Sequence, residues 1–198
     1  MINFDKCYIN DDVKLIAGID EAGRGPLAGP VVVASVIMPL EEDRIIEKIN
    51  DSKKLTEKKR EELFDKIINT AISYHIEVIS EKIIDEINIL NATKLGMQNC
   101  IKSLNIKPDL VLIDAVKIDS EVPIDSIIKG DAKSYNIASA SILAKVYRDR
   151  LMRELHEKYP NYNFAKHKGY GTKEHIENLK KYGKCEIHRD TFIKNFIG

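Results

Sequence analysis

The stretch GIDEAGRGPLAGP, residues 18–30, joins two apolar segments of the chain. The first segment, 14–20, is rich in leucine and isoleucine, and the second, 30–38, contains the β-branched run VVVASVI. Short apolar runs bounded by glycine and proline predict buried strands. Because a glycine-rich turn connects them, we expect the two strands to pair as antiparallel neighbours.

Two adjacent carboxylates, Asp20 and Glu21, stand at the end of the first predicted strand, directly before the glycine turn. Carboxylates in this position can hold divalent cations, because hard ions such as Mg²⁺ take oxygen ligands. Gly23 and Gly25 lack a Cβ, so the backbone N–H groups of the turn can approach a phosphate or a sugar closely. Acids that bind metal beside such a turn indicate chemistry on phosphodiesters.

The bulk composition indicates an ordinary soluble globular protein. The chain has 198 residues, 43% of them hydrophobic and 31% charged, which suits one domain with at most a small appendage. No apolar run reaches the roughly 18–20 residues of a membrane span, and the N-terminus lacks the apolar core of a signal peptide. Cys7, Cys100 and Cys185 are too widely spaced for a disulfide framework or a zinc site. We therefore expect a cytoplasmic protein that makes no contact with membranes.

The formal net charge is zero, which is not typical of a nucleic-acid-binding protein. Basic residues nevertheless concentrate in two places, 53–60 and 166–184. Within the first group, Lys58–Arg60 are interpreted mainly as a solvated helix face. A neutral total still permits a basic groove if acidic residues gather around metal ions elsewhere.

The remaining segments predict an α/β fold. Apolar runs at 73–79, 109–114 and 124–128 predict three further strands. Thr56 is a predicted N-cap, and Ser80 is predicted to cap one long, mostly helical segment. The longest helix is predicted at 137–156, where Ala138 and Ala144 belong to a face of small residues that packs close to the sheet. From residue 159 the sequence becomes polar and basic and predicts short helices. The fold class is therefore α/β, with a mixed central sheet flanked by helices and a helical C-terminal extension.

Further aspartates leave alternatives open. A second predicted strand ends in Asp114, as the first ends in Asp20, and ligand sites gather outside the carboxyl ends of strands. Asp114 taken alone is interpreted as a turn or cap residue. Asp131, just before the longest helix, either caps a turn or supplies a fourth carboxylate. Asp149 lies four residues before Arg153 and is interpreted as one half of a solvated pair.

Strand geometry raises a question about the two adjacent acids. Successive residues of a strand point to opposite faces, so Asp20 and Glu21 cannot both point one way from a regular strand. Either the strand ends or bulges there, with Gly23 supplying the freedom, or the site wraps around the end of the sheet.

Two other motifs have both structural and functional interpretations. The segment DSKKL at 51–55 begins like a helix cap, yet its lysines and serine could contact phosphates. Tyr170, between Gly169 and Gly171, either packs as a lid or stacks on a sugar or base. The five histidines have no HxH or HxxxH spacing, so we assign them no metal role.

Several of these blocks together resemble the prokaryotic type 2 ribonucleases H, the ribonuclease HII family. They occur in the family's order from about Leu15 to Phe192. The matching blocks are GIDEAGRG (18–25), DSKKL (51–55), LIDA (112–115), GDAKS (130–134), IASASILAKV (137–146), HKGYGT (167–172) and HRDTF (188–192). The arginine between two glycines favours this family over the sister type HIII. A phosphotransferase is disfavoured, since the GxxxxGK[ST] pattern is missing.

The resemblance implies a ribonuclease-H-like catalytic domain, 1–158, and a C-terminal helical segment, 159–198, that closes over the substrate. It implies endonucleolytic cleavage of RNA in RNA–DNA hybrids and nicking 5′ of ribonucleotides embedded in duplex DNA. Two Mg²⁺ or Mn²⁺ ions, about 3.5–4 Å apart, would support an in-line displacement that leaves a 3′-hydroxyl and a 5′-phosphate. The expected partners are those nucleic acids, and the expected state is a monomer.

The resemblance also assigns roles position by position. The catalytic and metal-binding acids would be Asp20, Glu21, Asp114 and Asp131. The residues reading the ribose 2′-OH, which distinguishes RNA from DNA, would be Gly23, Arg24, Gly25 and Tyr170. Further phosphate contacts are expected from Lys53, Ser134 and Lys145.

Overall fold

A five-stranded mixed sheet organises the computed structural model, which describes residues 1–197. The strands are β1 (Ile16–Ala22), β2 (Val31–Ile37), β3 (Ser73–Ile79), β4 (Leu110–Asp114) and β5 (Ile124–Ile127). The α-helices are α1 (Ile2–Lys6), α2 (Glu57–Thr70), α3 (Glu81–Ile87), α4 (Ile89–Ser103), α5 (Gly130–Lys133), α6 (Tyr135–Lys158), α7 (Phe164–His167), α8 (Lys173–Tyr182) and α9 (Asp190–Ile193). Short 3₁₀ turns occupy Glu42–Arg44, Ser52–Lys54 and Pro160–Tyr162. The predicted α/β class is confirmed.

The order of strands across the sheet is β3-β2-β1-β4-β5. Strand β1 is antiparallel to β2 and parallel to β4, so the hairpin predicted from the glycine turn is confirmed. The β1–β2 register is continuous from Ala17 opposite Ile37 to Ala22 opposite Val32. Strand β1 therefore continues two residues beyond the end predicted at Asp20.

Two helices cover the sheet, α6 on one face and α4 on the other. Helix α6 approaches β1 so closely that a Cβ added to Gly18 would lie 2.1 Å from the carbonyl carbon of Asn136. The missing side chain of Gly18 permits this distance. The small residues Ala138 and Ala144 of α6 are buried against the sheet, as predicted. The close packing fixes the beginning of α6 relative to the end of β1.

Side-chain caps define the helix boundaries. Thr56 accepts a hydrogen bond from the backbone N–H of Lys59 and begins α2, as predicted. The helical segment expected after Ser80 is two helices, because Asn88 has φ +65° and its side chain caps α4. A polar residue with a left-handed conformation stops the first helix and starts the second.

The C-terminal segment packs against the β1–β2 turn. Leu27 of the turn is buried with Leu179 of α8 and Ile193 of α9. The division of the chain between residues 158 and 159 stays a prediction. Among the helices of residues 1–197, none combines the length and the apolar character needed to cross a membrane.

Candidate active site

Two aspartates lie at the same edge of the sheet, each directly after the last residue that pairs β1 with β4. Ile19 of β1 is paired with Ile113 of β4, so the next residues along the two strands are Asp20 and Asp114. The carboxyl ends of parallel strands are where ligands bind in α/β proteins. The parallel pairing thus juxtaposes two acids that are 94 positions apart in the sequence.

The regular register settles how the adjacent acids are arranged. Gly18 and Leu112 both contact the beginning of α6, and the alternation of side chains puts Asp20 and Asp114 on that same face. Glu21 points to the opposite face, since β1 neither bulges nor ends before Ala22. Of the two arrangements that the sequence left open, the structure shows the second: Asp20 and Glu21 lie on opposite faces, so the site wraps around the end of the sheet.

Glu21 has one paired and one unpaired oxygen. Nη1 of Arg24 lies 3.3 Å from Oε1 of Glu21. The second oxygen, Oε2, is buried and has no hydrogen-bond partner. A buried carboxylate oxygen without a partner is energetically costly, and a bound cation would satisfy it.

Asp131 joins the site from the short helix α5. The backbone N–H of Gly130 donates to Oδ1 of Asp114 at 2.9 Å, which fixes α5 beside the end of β4. Asp131 is only 6% exposed, and Nζ of Lys53 lies 3.2 Å from its Oδ2. The four predicted acids and Lys53 therefore share one region.

The acids perturb one another. Burial raises the pKa of Asp20 well above its usual range, and the neighbouring charges of Glu21 and Asp114 raise it further. Burial also raises the pKa of Glu21, although the guanidinium of Arg24 opposes the shift. Burial combined with like-charge repulsion disfavours the ionised forms until a positive charge compensates them.

The donor set fits hard divalent cations, because all of its ligands are carboxylate oxygens. Within residues 1–197, however, no three His, Cys, Asp or Glu side chains are gathered tightly enough to hold an ion. Two of the acids are instead paired with cationic side chains of the protein, Glu21 with Arg24 and Asp131 with Lys53.

A pair of serines supports Asp20. A hydrogen bond from Ser141 of α6 acts to lower the pKa of Asp20, and the Ser141 hydroxyl lies 2.9 Å from that of Ser52. Both serines are buried. They link the segment that carries Lys53 to the acidic site. Ser52 is the serine of 51–55 that could have contacted phosphate, but it is buried against Ser141 instead.

The glycine turn and the predicted tyrosine lie side by side. Gly23 has φ +99°, which favours glycine, and a Cβ added to Gly25 would lie 3.8 Å from Cε1 of Tyr170. The side chain of Tyr170 remains partly open to solvent. The structure thus brings these predicted substrate-binding residues together, next to the acids.

Two predicted phosphate contacts are already engaged within the protein. Ser134 is fully buried and its hydroxyl accepts from the backbone N–H of Ile137, so it caps α6 and we withdraw it from the substrate-binding set. Lys145 donates to Asp149 at 2.8 Å. The interpretation of Asp149 as a solvated partner of Arg153 is wrong, because Asp149 is buried and pairs with Lys145 one turn earlier.

The family model described as ribonuclease HII matches residues 17–195. The chain belongs to the ribonuclease HII family. It is 62% identical over 198 residues to the ribonuclease HII of Acetivibrio thermocellus, an alignment that covers 100% of this chain and 77% of the relative. It is 58% identical over 190 residues to that of Caldicellulosiruptor bescii, covering 96% and 91%.

Solved structures agree with this membership. Ribonuclease H2 from Pyrococcus horikoshii superimposes with a TM-score of 0.78 at 29% identity, covering 92% of this chain and 97% of that one. Ribonuclease HII from Archaeoglobus fulgidus, solved in complex with PCNA, gives 0.76 at 29% identity, covering 91% and 96%. The ribonuclease-H-like fold is confirmed. The chain is an endoribonuclease of the ribonuclease H type, acts on RNA–DNA hybrids, and belongs to a metal-dependent family.

Two buried arginines were not predicted from the sequence. Arg148 of α6 and Arg189 at the start of α9 are 1% and 0% exposed. Both donate to backbone carbonyls of the turn between β1 and β2. Arginine in a polar segment is usually exposed, so a sequence pattern does not single them out.

A chain of hydrogen bonds through two histidines fixes the backbone at Tyr170. Nδ1 of His175 donates to the carbonyl of Tyr170 at 2.9 Å, and its Nε2 lies 3.1 Å from Nε2 of His188. Nδ1 of His188 in turn accepts from the backbone N–H of Cys185 at 3.0 Å. Because the carbonyl can only accept, the bonds are satisfied by neutral rings protonated on Nδ1 of His175 and Nε2 of His188. The histidines thus support the tyrosine.

Proposed function

We propose that this chain also nicks duplex DNA on the 5′ side of single embedded ribonucleotides, with four acids as its catalytic centre. The acids are Asp20, Glu21, Asp114 and Asp131. One observation carries the proposal: Asp20 and Asp114 directly follow the last paired residues of the parallel strands β1 and β4, and the next residue of β1, Glu21, has a buried Oε2 without a partner. A protein that only bound nucleic acid would have no reason to direct carboxylates towards a phosphate backbone.

The proposed cofactor is a pair of Mg²⁺ or Mn²⁺ ions. When bound, two such ions would supply an activated water and stabilise the charge of the leaving 3′-oxygen. The acids would hold them through carboxylate oxygens, once Arg24 and Lys53 turn away from Glu21 and Asp131. The proposed products carry a 3′-hydroxyl and a 5′-phosphate.

Recognition of the ribose is assigned to the glycine turn and Tyr170. The exposed Gly25 lies against the tyrosine ring, so a sugar entering beside the ring would meet backbone N–H groups that no Cβ shields. The 2′-OH is the group that separates RNA from DNA at a given position. A hydrogen-bond donor beside the 2′-OH, together with an aromatic ring that stacks on the sugar or base, would favour a single ribonucleotide within a DNA duplex.

Phosphate contacts and substrate closure are proposed for the basic residues and the C-terminal segment. Lys53 is mostly exposed and can reach a phosphate, whereas Lys145 would first have to leave Asp149. Residues 159–197 carry Tyr170 and pack on the glycine turn, which supports a role in covering the substrate. A cytoplasmic monomer stays our prediction from the sequence.

A nicking assay tests the proposal. The substrate is a labelled DNA duplex that contains one ribonucleotide, and the all-DNA duplex of the same sequence is the control. We expect a single cut 5′ of the ribonucleotide with Mg²⁺ or Mn²⁺, none with a chelator, and a 3′ end that a DNA polymerase extends. Cutting of long hybrids without any cut at the single ribonucleotide would refute the nicking activity.

A further inference from the structure

Two fully buried guanidinium groups lie beneath the glycine turn without a carboxylate partner. Arg148 and Arg189 take part in none of the ion pairs found within residues 1–197. Burial lowers the pKa of Arg148 to about 10 and that of Arg189 to about 9. Both pKa values are above neutral pH, so the two groups are charged although they are kept out of water. The free-energy cost of burying these charges must be offset by hydrogen bonds.

Arg189 binds the turn through three carbonyl groups. Its Nη2 donates to the carbonyl of Gly23 at 2.6 Å, its Nη1 to that of Arg24 at 3.0 Å, and its Nε to that of Gly29 at 2.9 Å. The planar guanidinium presents these donors in a fixed fork. The carbonyls of two successive peptides are thereby held towards the interior.

Holding the carbonyls inward turns the N–H groups outward. In a trans peptide the C=O and N–H point in opposite directions, and no cis peptide occurs within residues 1–197. The peptides whose carbonyls belong to Gly23 and Arg24 carry the N–H groups of Arg24 and Gly25. These two donors therefore point away from Arg189, at residues that are exposed.

Arg148 connects the same turn to the segment that carries the tyrosine. Its Nε and Nη2 donate to the carbonyls of Pro30 and Ala28, at 2.9 and 3.2 Å. Its Nη1 donates at 2.9 Å to the carbonyl of Lys168, two residues before Tyr170. The guanidinium carbon also lies 5.9 Å from the centre of the Tyr170 ring. One side chain thus links both halves of the proposed ribose site.

We propose that Arg148 and Arg189 are positioning residues that set the selectivity for ribose over deoxyribose. Arg189 aims the N–H donors of Arg24 and Gly25, and Arg148 sets their distance from the ring of Tyr170. The inference rests on the proposed function, because it assigns the recognition of the 2′-OH to this turn. Both guanidinium groups are buried and bind only protein groups, so the effect would be transmitted through the backbone of the turn.

Lysine is the informative substitution. Arg189→Lys and Arg148→Lys keep the positive charge but lose the fork, so they separate geometry from electrostatics. The matched control is Arg150→Lys, on α6 beside Arg148, because Arg150 binds Glu61 far from the turn. All three are made in an Asp114→Asn background, in which cleavage does not obscure binding.

The measured quantity is the ratio of two dissociation constants, for an all-DNA duplex and for the same duplex with one ribonucleotide. We expect Arg189→Lys and Arg148→Lys to reduce this ratio about three- to tenfold, the loss of about one hydrogen bond, while affinity for the all-DNA duplex is unchanged. Arg150→Lys should keep the parent ratio. Circular dichroism and the melting temperature report whether each variant folds. If Arg189→Lys does not fold, the ratio measured for Arg148→Lys tests the inference.

Three outcomes would overturn the inference. An unchanged ratio in the lysine variants would show that the fork does not aim the donors. An equal loss of affinity for both duplexes would show a merely structural role. A ratio of one between the two dissociation constants of the Asp114→Asn chain would refute ribose recognition by the turn. The nicking assay with the wild-type chain tests the proposed activity separately.

Discussion

The ammonium group of Lys53 lies 3.2 Å from Oδ2 of Asp131, although 78 positions separate the two residues. The contact raises the pKa of Lys53 and places a positive charge at the fourth acid of the site. In the proposed site, Asp131 holds a divalent cation, so Lys53 and that cation would compete for the same carboxylate. The ion pair with Lys53 would then weaken cation binding slightly.

Replacing Lys53 with methionine should tighten cation binding. Because Lys53 is largely exposed, the ion pair is worth about 0.2–1 kcal/mol, and its loss should lower the dissociation constant for Mn²⁺ up to about fivefold. Isothermal titration calorimetry without nucleic acid measures this constant. Lys54→Met, in the same exposed turn, should leave it unchanged. Weaker Mn²⁺ binding by Lys53→Met would contradict the competition.

Asp114→Asn should abolish cleavage and retain binding to an RNA–DNA hybrid. The amide oxygen can still accept from the N–H of Gly130, so the fold stays intact, but the ligand charge is lost. We expect the rate to fall at least about 100-fold, the effect of a few kcal/mol at the transition state. Asp109→Asn, at the opposite end of β4, is the control and should cleave normally. Undiminished cleavage by Asp114→Asn would remove Asp114 from the catalytic centre.

Tyr170→Ala should reduce nicking at single ribonucleotides about 10- to 100-fold, since stacking on an aromatic ring is worth about 1–3 kcal/mol. Tyr182→Ala is a matched control, because both tyrosines have side chains 44% exposed. Rates under single-turnover conditions compare the two variants. Equal rates for Tyr170→Ala and the wild type would leave the tyrosine with no role in recognition.

Acid should destabilise the segment that holds Tyr170. Burial, and then the nearby His175, lower the pKa of His188 from 6.5 to about 4. A depressed histidine pKa contributes stability above pH 6.5 that is lost as the pH falls towards 4, in total about 3 kcal/mol. The raised pKa values of Asp20 and Glu21 act in the opposite direction, so a comparison between variants is needed.

Urea unfolding between pH 4 and 7.5 provides that comparison. The free energy of unfolding should rise more steeply with pH in the wild type than in His188→Gln, which cannot titrate. Identical slopes for the wild type and His188→Gln would show that the buried pair of histidines does not respond to protons.

The strands, the hairpin and the longest helix were predictable because their signals are local. A β-branched run, a glycine turn and a capping threonine each act within a few residues, and β3 has the predicted limits of 73–79. The helix break at Asn88 was missed, because a left-handed asparagine leaves no pattern in hydrophobicity. The convergence of Asp20 with Asp114 followed only from the pairing of strands that are distant in the sequence.

The support of the site could not be predicted. Ser134 and Lys145 were expected to contact phosphate, but burial and a nearby partner engage both within the protein. The contacts of Arg148 and Arg189 with the glycine turn join residues more than a hundred positions apart. The bonded histidines, His175 and His188, are 13 positions apart. Such contacts arise from tertiary packing, which composition and spacing do not encode.

Anomalous scattering from a crystal soaked in Mn²⁺ tests the catalytic centre most directly. With an Asp114→Asn chain as the control, the wild-type chain should show two manganese peaks when it is bound to a duplex that contains one ribonucleotide and a scissile linkage that resists hydrolysis. These peaks should lie among the carboxylates of Asp20, Glu21, Asp114 and Asp131, with Lys53 turned away. Carboxylates that remain on Arg24 and Lys53, with no manganese between them, would contradict the assignment of this site.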